Sequence, residues 1–189
     1  MHLKVVTTND GKFMEFESAL RVPGLTLERV HMKYPELQAD KLEEVVSFGL
    51  DWLGTRVGGN IVIDDSGLFV DSLSGFPGVY SAFVERTIGL GGILKLMESA
   101  RDRKALFRTV LGILHDGRAT LLSGECRGEI TTGMRGSSGF GYDPIFIPDG
   151  QKLTFGEMGT MEKNAVSHRG HALRRLKETL DVEKEGVLD

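Results

Sequence analysis

Cysteine is nearly absent from the sequence, and its scarcity excludes two kinds of site. Cys126 is the only cysteine among 189 residues, so the chain has no disulfide framework and no zinc site built from cysteines. A lone thiol is typical of proteins in a reducing compartment. We therefore predict a cytoplasmic location.

Long apolar runs and basic clusters are also missing. The chain contains no stretch of about 18 consecutive apolar residues, the length that a membrane-spanning helix requires, and the segment after Met1 lacks the apolar core of a signal peptide. The formal net charge is −4, and no basic run is longer than Arg174-Arg175. A general polyanion-binding surface needs more positive charge than this. We therefore expect neither a nucleic acid nor a membrane as partner.

Glycine, in contrast, is abundant. The chain has 25 glycines, against a usual share of about 7% of residues, and several gather in the segment from Gly133 to Gly141. Such loops let the backbone approach a ligand or another segment closely. With 40% hydrophobic residues, and no repeat or linker that divides the chain, we predict a single domain over residues 1–189.

Apolar patterning predicts a mixed-sheet α/β or α+β fold. Strand-like and helical stretches alternate in an order that fits neither a pure βαβ repeat nor an all-β fold. The predicted elements are a strand at Leu3–Thr7, a helix carrying Phe13, Phe16 and Leu20, a helix from about Asp40, a strand at Ile61–Ile63 that stops at Asp64, a hairpin of Ala105–Leu114 and Ala119–Cys126 around Asp116-Gly117, and a final helix over 162–181.

The first polar constellation is Thr7-Thr8-Asn9-Asp10-Gly11-Lys12, where a strand leads into a helix. Free backbone N–H groups and the helix dipole at such a junction favour a phosphate, and Lys12 adds a positive charge. The segment is not a Walker A loop. A capped helix with a surface lysine therefore explains it equally well.

The second constellation is acidic. Asp64-Asp65-Ser66-Gly67 directly follows an apolar strand, and two adjacent carboxylates there repel each other unless a cation or hydrogen-bond donors compensate. Magnesium prefers one or two carboxylates together with phosphate oxygens, and Glu36 is a third candidate ligand. An ordinary acidic turn and a solvated glutamate are the alternatives.

Two further segments are candidates for a functional role, one through an aromatic ring between glycines and one through positively charged side chains. Glycines flank Phe140 in Gly139-Phe140-Gly141-Tyr142-Asp143-Pro144, which leaves its ring face open for stacking on a flat base; a plain hairpin turn is the alternative. Lys163, His168 and Arg169 place cations near a helix N-terminus, where positive charge is unfavourable for stability. This favours a functional role for them.

Together these segments resemble the inosine triphosphate pyrophosphatase family. The motifs that carry the resemblance occur in family order along nearly the whole chain. They are Thr7-Thr8-Asn9-Asp10-Gly11-Lys12, Asp64-Asp65-Ser66-Gly67-Leu68, Gly75-Phe76-Pro77-Gly78-Val79-Tyr80-Ser81-Ala82, Gly139-Phe140-Gly141-Tyr142-Asp143-Pro144 and Ser167-His168-Arg169. This chain departs from many members at Ser47-Phe48-Gly49, where they carry a lysine, and at Phe83, where bacterial members carry an arginine.

The resemblance implies a two-lobed α/β fold with a long central mixed sheet and a cleft between the lobes. It also implies a homodimer that hydrolyses ITP, dITP and XTP to the monophosphate and pyrophosphate with Mg²⁺. Asp65 matches the catalytic base, and Glu36 and Asp65 match the metal ligands. The positions that match substrate contacts are Thr7, Thr8, Asn9, Asp10, Gly11, Lys12 and Ser66, with Phe140, Gly141, Tyr142, Asp143, Lys163, His168 and Arg169 at the base and ribose end.

Two other functions use the same features. A nucleotide sensor without hydrolysis would share the glycine loops, but it gains nothing from carboxylates beside a polyanion. A pyrophosphatase for modified pyrimidines would share the carboxylates as well. The residues alone leave the second alternative open.

Overall fold

The computed structural model describes residues 1–185; residues 186–189 of the predicted domain lie outside the described residues. The strands are β1 (His2–Val6), β2 (Thr26–Val30), β3 (Ile61–Val70), β4 (Pro77–Gly78), β5 (Lys104–His115), β6 (Arg118–Ile130) and β7 (Phe146–Pro148). The helices are α1 (Asp10–Ala19), α2 (Leu42–Gly54), α3 (Ser81–Thr87), α4 (Gly89–Leu96), α5 (Thr160–Val166) and α6 (His168–Glu185).

The strands form one mixed sheet in the order β2-β1-β3-β5-β6-β7, with β4 paired to β3. Parallel pairing joins β1 to β2 and to β3, whereas the pairs β3–β5, β5–β6 and β6–β7 are antiparallel. The long β5–β6 hairpin turns at Asp116-Gly117, where both residues have positive φ (46° and 77°), as a two-residue hairpin loop requires. The predicted hairpin and mixed sheet are confirmed.

The long strands span two lobes with separate cores. In the first lobe, α1 and α6 cover one face of the sheet and α2 covers the other. In the second lobe, α3 and α4 pack against the far ends of β3, β5 and β6, around residues such as Leu68, Phe107 and Ile130. The predicted two-lobed α/β architecture is confirmed, and the polar residues of the motifs lie where the lobes meet.

Two predicted element boundaries are wrong. The strand at Ile61 does not stop at Asp64 but continues to Val70, because β5 pairs with it residue by residue, Asp64 opposite Leu111 and Asp65 opposite Val110. The predicted helix over 162–181 is two helices, divided at Ser167, whose extended backbone (φ −81°, ψ 159°) ends α5. The break directs α6 along the sheet.

Candidate active site

A cavity of about 110 Å³ lies between the lobes and gathers most of the predicted site residues. Helix α1, strand β3, helix α3, the loop before β7 and helices α5 and α6 all contribute to its wall. The predicted residues that line it are Asn9, Lys12, Asp65, Ser66, Phe140, Gly141, Tyr142, Asp143, Lys163, His168 and Arg169. Residues separated by more than a hundred positions in the sequence therefore share one cavity.

The two adjacent carboxylates point to opposite faces of the sheet, as the period-2 geometry of a strand dictates. Asp64 faces α1 and α6, where Lys12 Nζ lies 3.1 Å and Arg169 Nη2 2.9 Å from its Oδ2. Asp65 faces the α2 side and also borders a second cavity of about 640 Å³ that Val45 and Glu36 line. The opposite orientations give each carboxylate its own surroundings, but the charge of Asp64 still acts on Asp65.

Burial raises the pKa of the Asp65 carboxyl to about 6, with the negative charges of Asp64 and Glu36 adding to the shift and Lys12 opposing it. Its Oδ1 accepts a hydrogen bond from the backbone N–H of Ser66 at 2.9 Å, and the side chains of residues 1–180 form no ion pair with it. A carboxyl of this pKa is ionised at neutral pH and still basic enough to take a proton from water. Asp65 therefore has the properties of a general base.

Asp64, in contrast, is an ion-pair partner. Burial alone would raise the pKa of its carboxyl, but the charges of Lys12 and Arg169 outweigh burial and hold that pKa below the usual value. Lys12 Nζ also donates to the Asp64 carbonyl oxygen at 3.1 Å. The hydroxyl of Ser66 joins the group, 2.9 Å from Arg169 Nη2 and 2.6 Å from the Thr109 hydroxyl on the facing strand.

Glu15 is a site residue that the sequence did not reveal. It lies buried on α1, with Oε2 2.5 Å from Arg169 Nη1 and Oε1 2.7 Å from Lys163 Nζ. Burial opposes its ionisation, but the charges of Arg169 and Lys163 hold the pKa of Glu15 below its usual value. Its spacing of three residues from Lys12 places both on one face of α1, which is the only signal in the sequence. Most such helical pairs are solvated, so the spacing alone does not indicate burial.

Lys163 extends this set of ion pairs to the loop before β7. Its Nζ lies 2.5 Å from Asp143 Oδ2, which also accepts from the backbone N–H of Phe140 at 2.8 Å. Burial raises the pKa of Asp143 against the attraction of Lys163. Three carboxylates and three cations thus alternate through the site, a series we call the ionic chain: Asp143, Lys163, Glu15, Arg169, Asp64 and Lys12.

The ring of Phe140 is not open as the flanking glycines suggested. Lys163 Nζ lies 4.5 Å and the Arg169 guanidinium carbon 5.4 Å from the ring centroid, because these cations interact favourably with an aromatic face. The ring also packs on α1, where a Cβ at Gly11 would lie 2.3 Å from it. The prediction that the Phe140 ring is unshielded is therefore wrong. Stacking of a base on the part of the ring that the cations leave free stays a prediction.

His168 and Tyr142 are fixed by neighbours. The His168 ring stacks on Phe107 with centroids 4.5 Å apart and an interplanar angle of 9°. Burial, together with the positive charges of Arg169 and Lys163, lowers the pKa of His168 well below its usual value, so the ring is neutral. The Tyr142 hydroxyl donates to the Ser81 carbonyl oxygen at 2.8 Å and ties the loop before β7 to α3.

The predicted phosphate-facing loop divides into residues that reach the cavity and residues that do not. Asn9 caps α1, its Oδ1 accepting from the backbone N–H of Lys12 at 2.9 Å, and Thr7 Oγ1 accepts from the Asn9 N–H at 3.1 Å. Thr8 and Asp10 are exposed and do not line the cavity of 110 Å³. The Asp10 carboxylate instead pairs with Arg29.

Comparisons with known proteins agree with this architecture. The model of the Ham1 family matches residues 3–179. Proteins named dITP/XTP pyrophosphatase are 52% identical in Pyrococcus horikoshii, over 96% of this chain and 98% of the relative, and 50% identical in Thermococcus kodakarensis, over 95% and 100%. The structure of the Staphylococcus aureus Ham1 protein superposes with a TM-score of 0.83 at 26% identity, covering 97% of this chain and all of that one.

No helix of the described part of the chain is long and apolar enough to cross a membrane. The family match spans both lobes and every segment that lines the cavity, from the loop before α1 to the start of α6. On the sequence match and the superposition together, this chain belongs to the Ham1 family.

Proposed function

We propose that the chain is a nucleoside-triphosphate pyrophosphatase for non-canonical purine nucleotides such as ITP, dITP and XTP, and that it acts in the cytoplasm. The names of the relatives from Pyrococcus and Thermococcus support this substrate class. The observation that carries the proposal is Asp65, a carboxylate that has a raised pKa and borders both cavities. It has no ion-pair partner among the side chains that the structure describes. A sensor that only bound nucleotides would have no use for such a group.

The chemistry follows from the positions of Lys12 and Asp65. The ammonium group of Lys12 would hold the phosphates near β3 by charge, because it lines the cavity and stays 20% exposed while it pairs with the buried Asp64. Water attacks the α-phosphorus and the bond to the bridging oxygen of the pyrophosphate breaks. Asp65 accepts the proton of that water. The products are a nucleoside monophosphate and pyrophosphate.

We infer that the carboxylates of the larger cavity bind a magnesium ion. Asp65 and Glu36 both border that cavity, and among the side chains of residues 1–180 they belong to no group of three or more potential ligands. Magnesium commonly binds through one or two carboxylates and completes its shell with water and phosphate oxygens. Bound there, the metal would neutralise charge on the phosphates. Asp65 and Glu36 would hold it.

The first test is a nucleotide panel in which pyrophosphate and orthophosphate are measured separately, with Mg²⁺ and with excess EDTA. We expect ITP, dITP and XTP to give pyrophosphate and a monophosphate, ATP and GTP to react poorly, and EDTA to stop the reaction. Orthophosphate and a diphosphate as primary products would contradict the cleavage site. Faster hydrolysis of modified pyrimidine triphosphates would instead support the alternative substrate class.

We further propose that the chain forms a homodimer through α3 and the turn before it. Large apolar side chains are exposed there around the larger cavity, namely Phe76, Tyr80, Phe83 and Ile88. Phe83 is 58% exposed, and such a patch typically marks a protein interface. Light scattering should give twice the chain mass of 20.7 kDa, and Phe83→Glu, which places a negative charge in the apolar patch, should give the monomer. A monomeric wild type would contradict the proposal.

A further inference from the structure

Arg29 holds the loop between β1 and α1 at several points. It lies on the edge strand β2, opposite Val5 of β1. Its Nε donates to the Thr7 carbonyl oxygen at 3.2 Å, and its Nη1 lies 2.6 Å from Asp10 Oδ1. The guanidinium carbon is 5.6 Å from the centroid of the Phe13 ring. One side chain on β2 therefore fixes both the end of β1 and the first turn of α1.

The Asp10 carboxylate lies in the loop that is proposed to face the phosphates. Asp10 begins α1, where a carboxylate favours the helix dipole, and its side chain is 85% exposed. It lies in the same loop as Asn9 and Lys12, which line the cavity. A free carboxylate beside that loop would repel the phosphates of a nucleotide. Arg29 supplies the compensating charge, and its contact with Thr7 fixes where that charge lies.

We propose that Arg29 is a positioning residue for substrate binding, which holds Asp10 against β2 and cancels its charge beside the phosphates. This rests on the function proposed above, in which the loop faces a triphosphate. In this proposal Asp10 does not contact the substrate, in contrast to the role that the resemblance implies. Arg29 suppresses the repulsion between the Asp10 carboxylate and the phosphates.

The test is a suppressor experiment with Arg29→Ala, Asp10→Asn and the double variant. We expect Arg29→Ala to raise KM for ITP about fivefold, the effect of one exposed charge pair, with kcat within about twofold of wild type. Asp10→Asn should leave KM unchanged or slightly lower. In the double variant, KM should return to within about twofold of the Asp10→Asn value, because the uncompensated charge is gone. Arg21→Ala, which removes an exposed cation nearby in the sequence, should leave KM unchanged.

A purely structural Arg29 predicts a different result: a lower melting temperature in Arg29→Ala at wild-type KM, with no rescue in the double variant. An unchanged KM in Arg29→Ala, or a double variant without rescue, would overturn the inference. Hydrolysis of ITP by the wild type would still support the proposed function in that case. Calorimetric titration of the same variants with inorganic pyrophosphate gives a reading independent of turnover. In that titration we expect Arg29→Ala to bind pyrophosphate more weakly than the wild type and the double variant to bind it as Asp10→Asn does. A wild type that neither hydrolyses ITP nor binds pyrophosphate would overturn both proposals.

Discussion

Replacing Asp65 with asparagine should reduce kcat for ITP by about 10²–10⁴-fold, the usual contribution of a general base. The substitution keeps the size of the side chain and its contact with the Ser66 N–H, but it removes the group that takes the proton. KM should change far less than kcat, because the loss concerns the transition state rather than the bound nucleotide. Steady-state kinetics with pyrophosphate detection measures both constants.

Two matched variants make this result specific to Asp65. Asp51→Asn removes an exposed carboxylate of α2 and should leave kcat unchanged. Glu36→Gln removes the other carboxylate of the larger cavity and should mainly raise the Mg²⁺ concentration needed for half-maximal rate. Asp65→Asn that keeps more than about a tenth of wild-type kcat would show that another group accepts the proton.

The largest effect on stability is expected from Arg169→Ala. Arg169 is 1% exposed and is the ion-pair partner of both Glu15 and Asp64. The substitution removes the cation that these buried carboxylates share and leaves each of them with a single lysine. Breaking a buried pair from one side costs about 3–5 kcal/mol, which lowers the melting temperature of a chain of this size by roughly 6–20 °C. Thermal unfolding monitored by circular dichroism measures the change.

The pH dependence distinguishes lost charge from lost packing in Arg169→Ala. In the wild type, Asp64 and Glu15 have lowered pKa values, so their contribution is present at neutral pH and is lost as the pH falls through those values. In the variant, protonation of Glu15 and Asp64 removes negative charges that Arg169 no longer compensates, so a lower pH stabilises the folded state. The gap in melting temperature should therefore narrow as the pH falls towards about 4. A constant gap would indicate lost packing alone, and Lys177→Ala on the exposed face of α6 should show no gap.

The regular elements of the fold could be predicted because their causes are local. The apolar stripe of α2 follows helical spacing, and the β5–β6 hairpin is marked by Asp116-Gly117, which accepts the positive φ that its turn needs. The division of the last helix at Ser167 has no such marker in the sequence. It brings the start of α6 so close to α5 that a Cβ at Gly170 would lie 1.8 Å from the Asn164 carbonyl oxygen.

The candidate site could be predicted as a set of residues but not as a set of roles. The motifs contained Asp64, Lys163 and Arg169, whereas their partner Glu15 lies 154 positions before Arg169 and in no acidic motif. Arg169 and Lys163 looked like donors for a base. In the fold most of their donors are engaged by buried carboxylates, because a cation at such depth requires one. Which pairs form depends on the packing of α1 against α5 and α6, and no local pattern encodes that packing.

The residue-by-residue pairing of β3 with β5 decides which of two chemically identical side chains is placed as the proposed base. A slip of β3 by one position would exchange the two faces of the strand. Asp65 would then meet Lys12 and Arg169 as an ion-pair partner, and Asp64 would face the larger cavity in its place. The identity of the proposed base is therefore a property of strand alignment, and a one-residue insertion or deletion between Ile61 and Asp64 would exchange the faces of the two carboxylates.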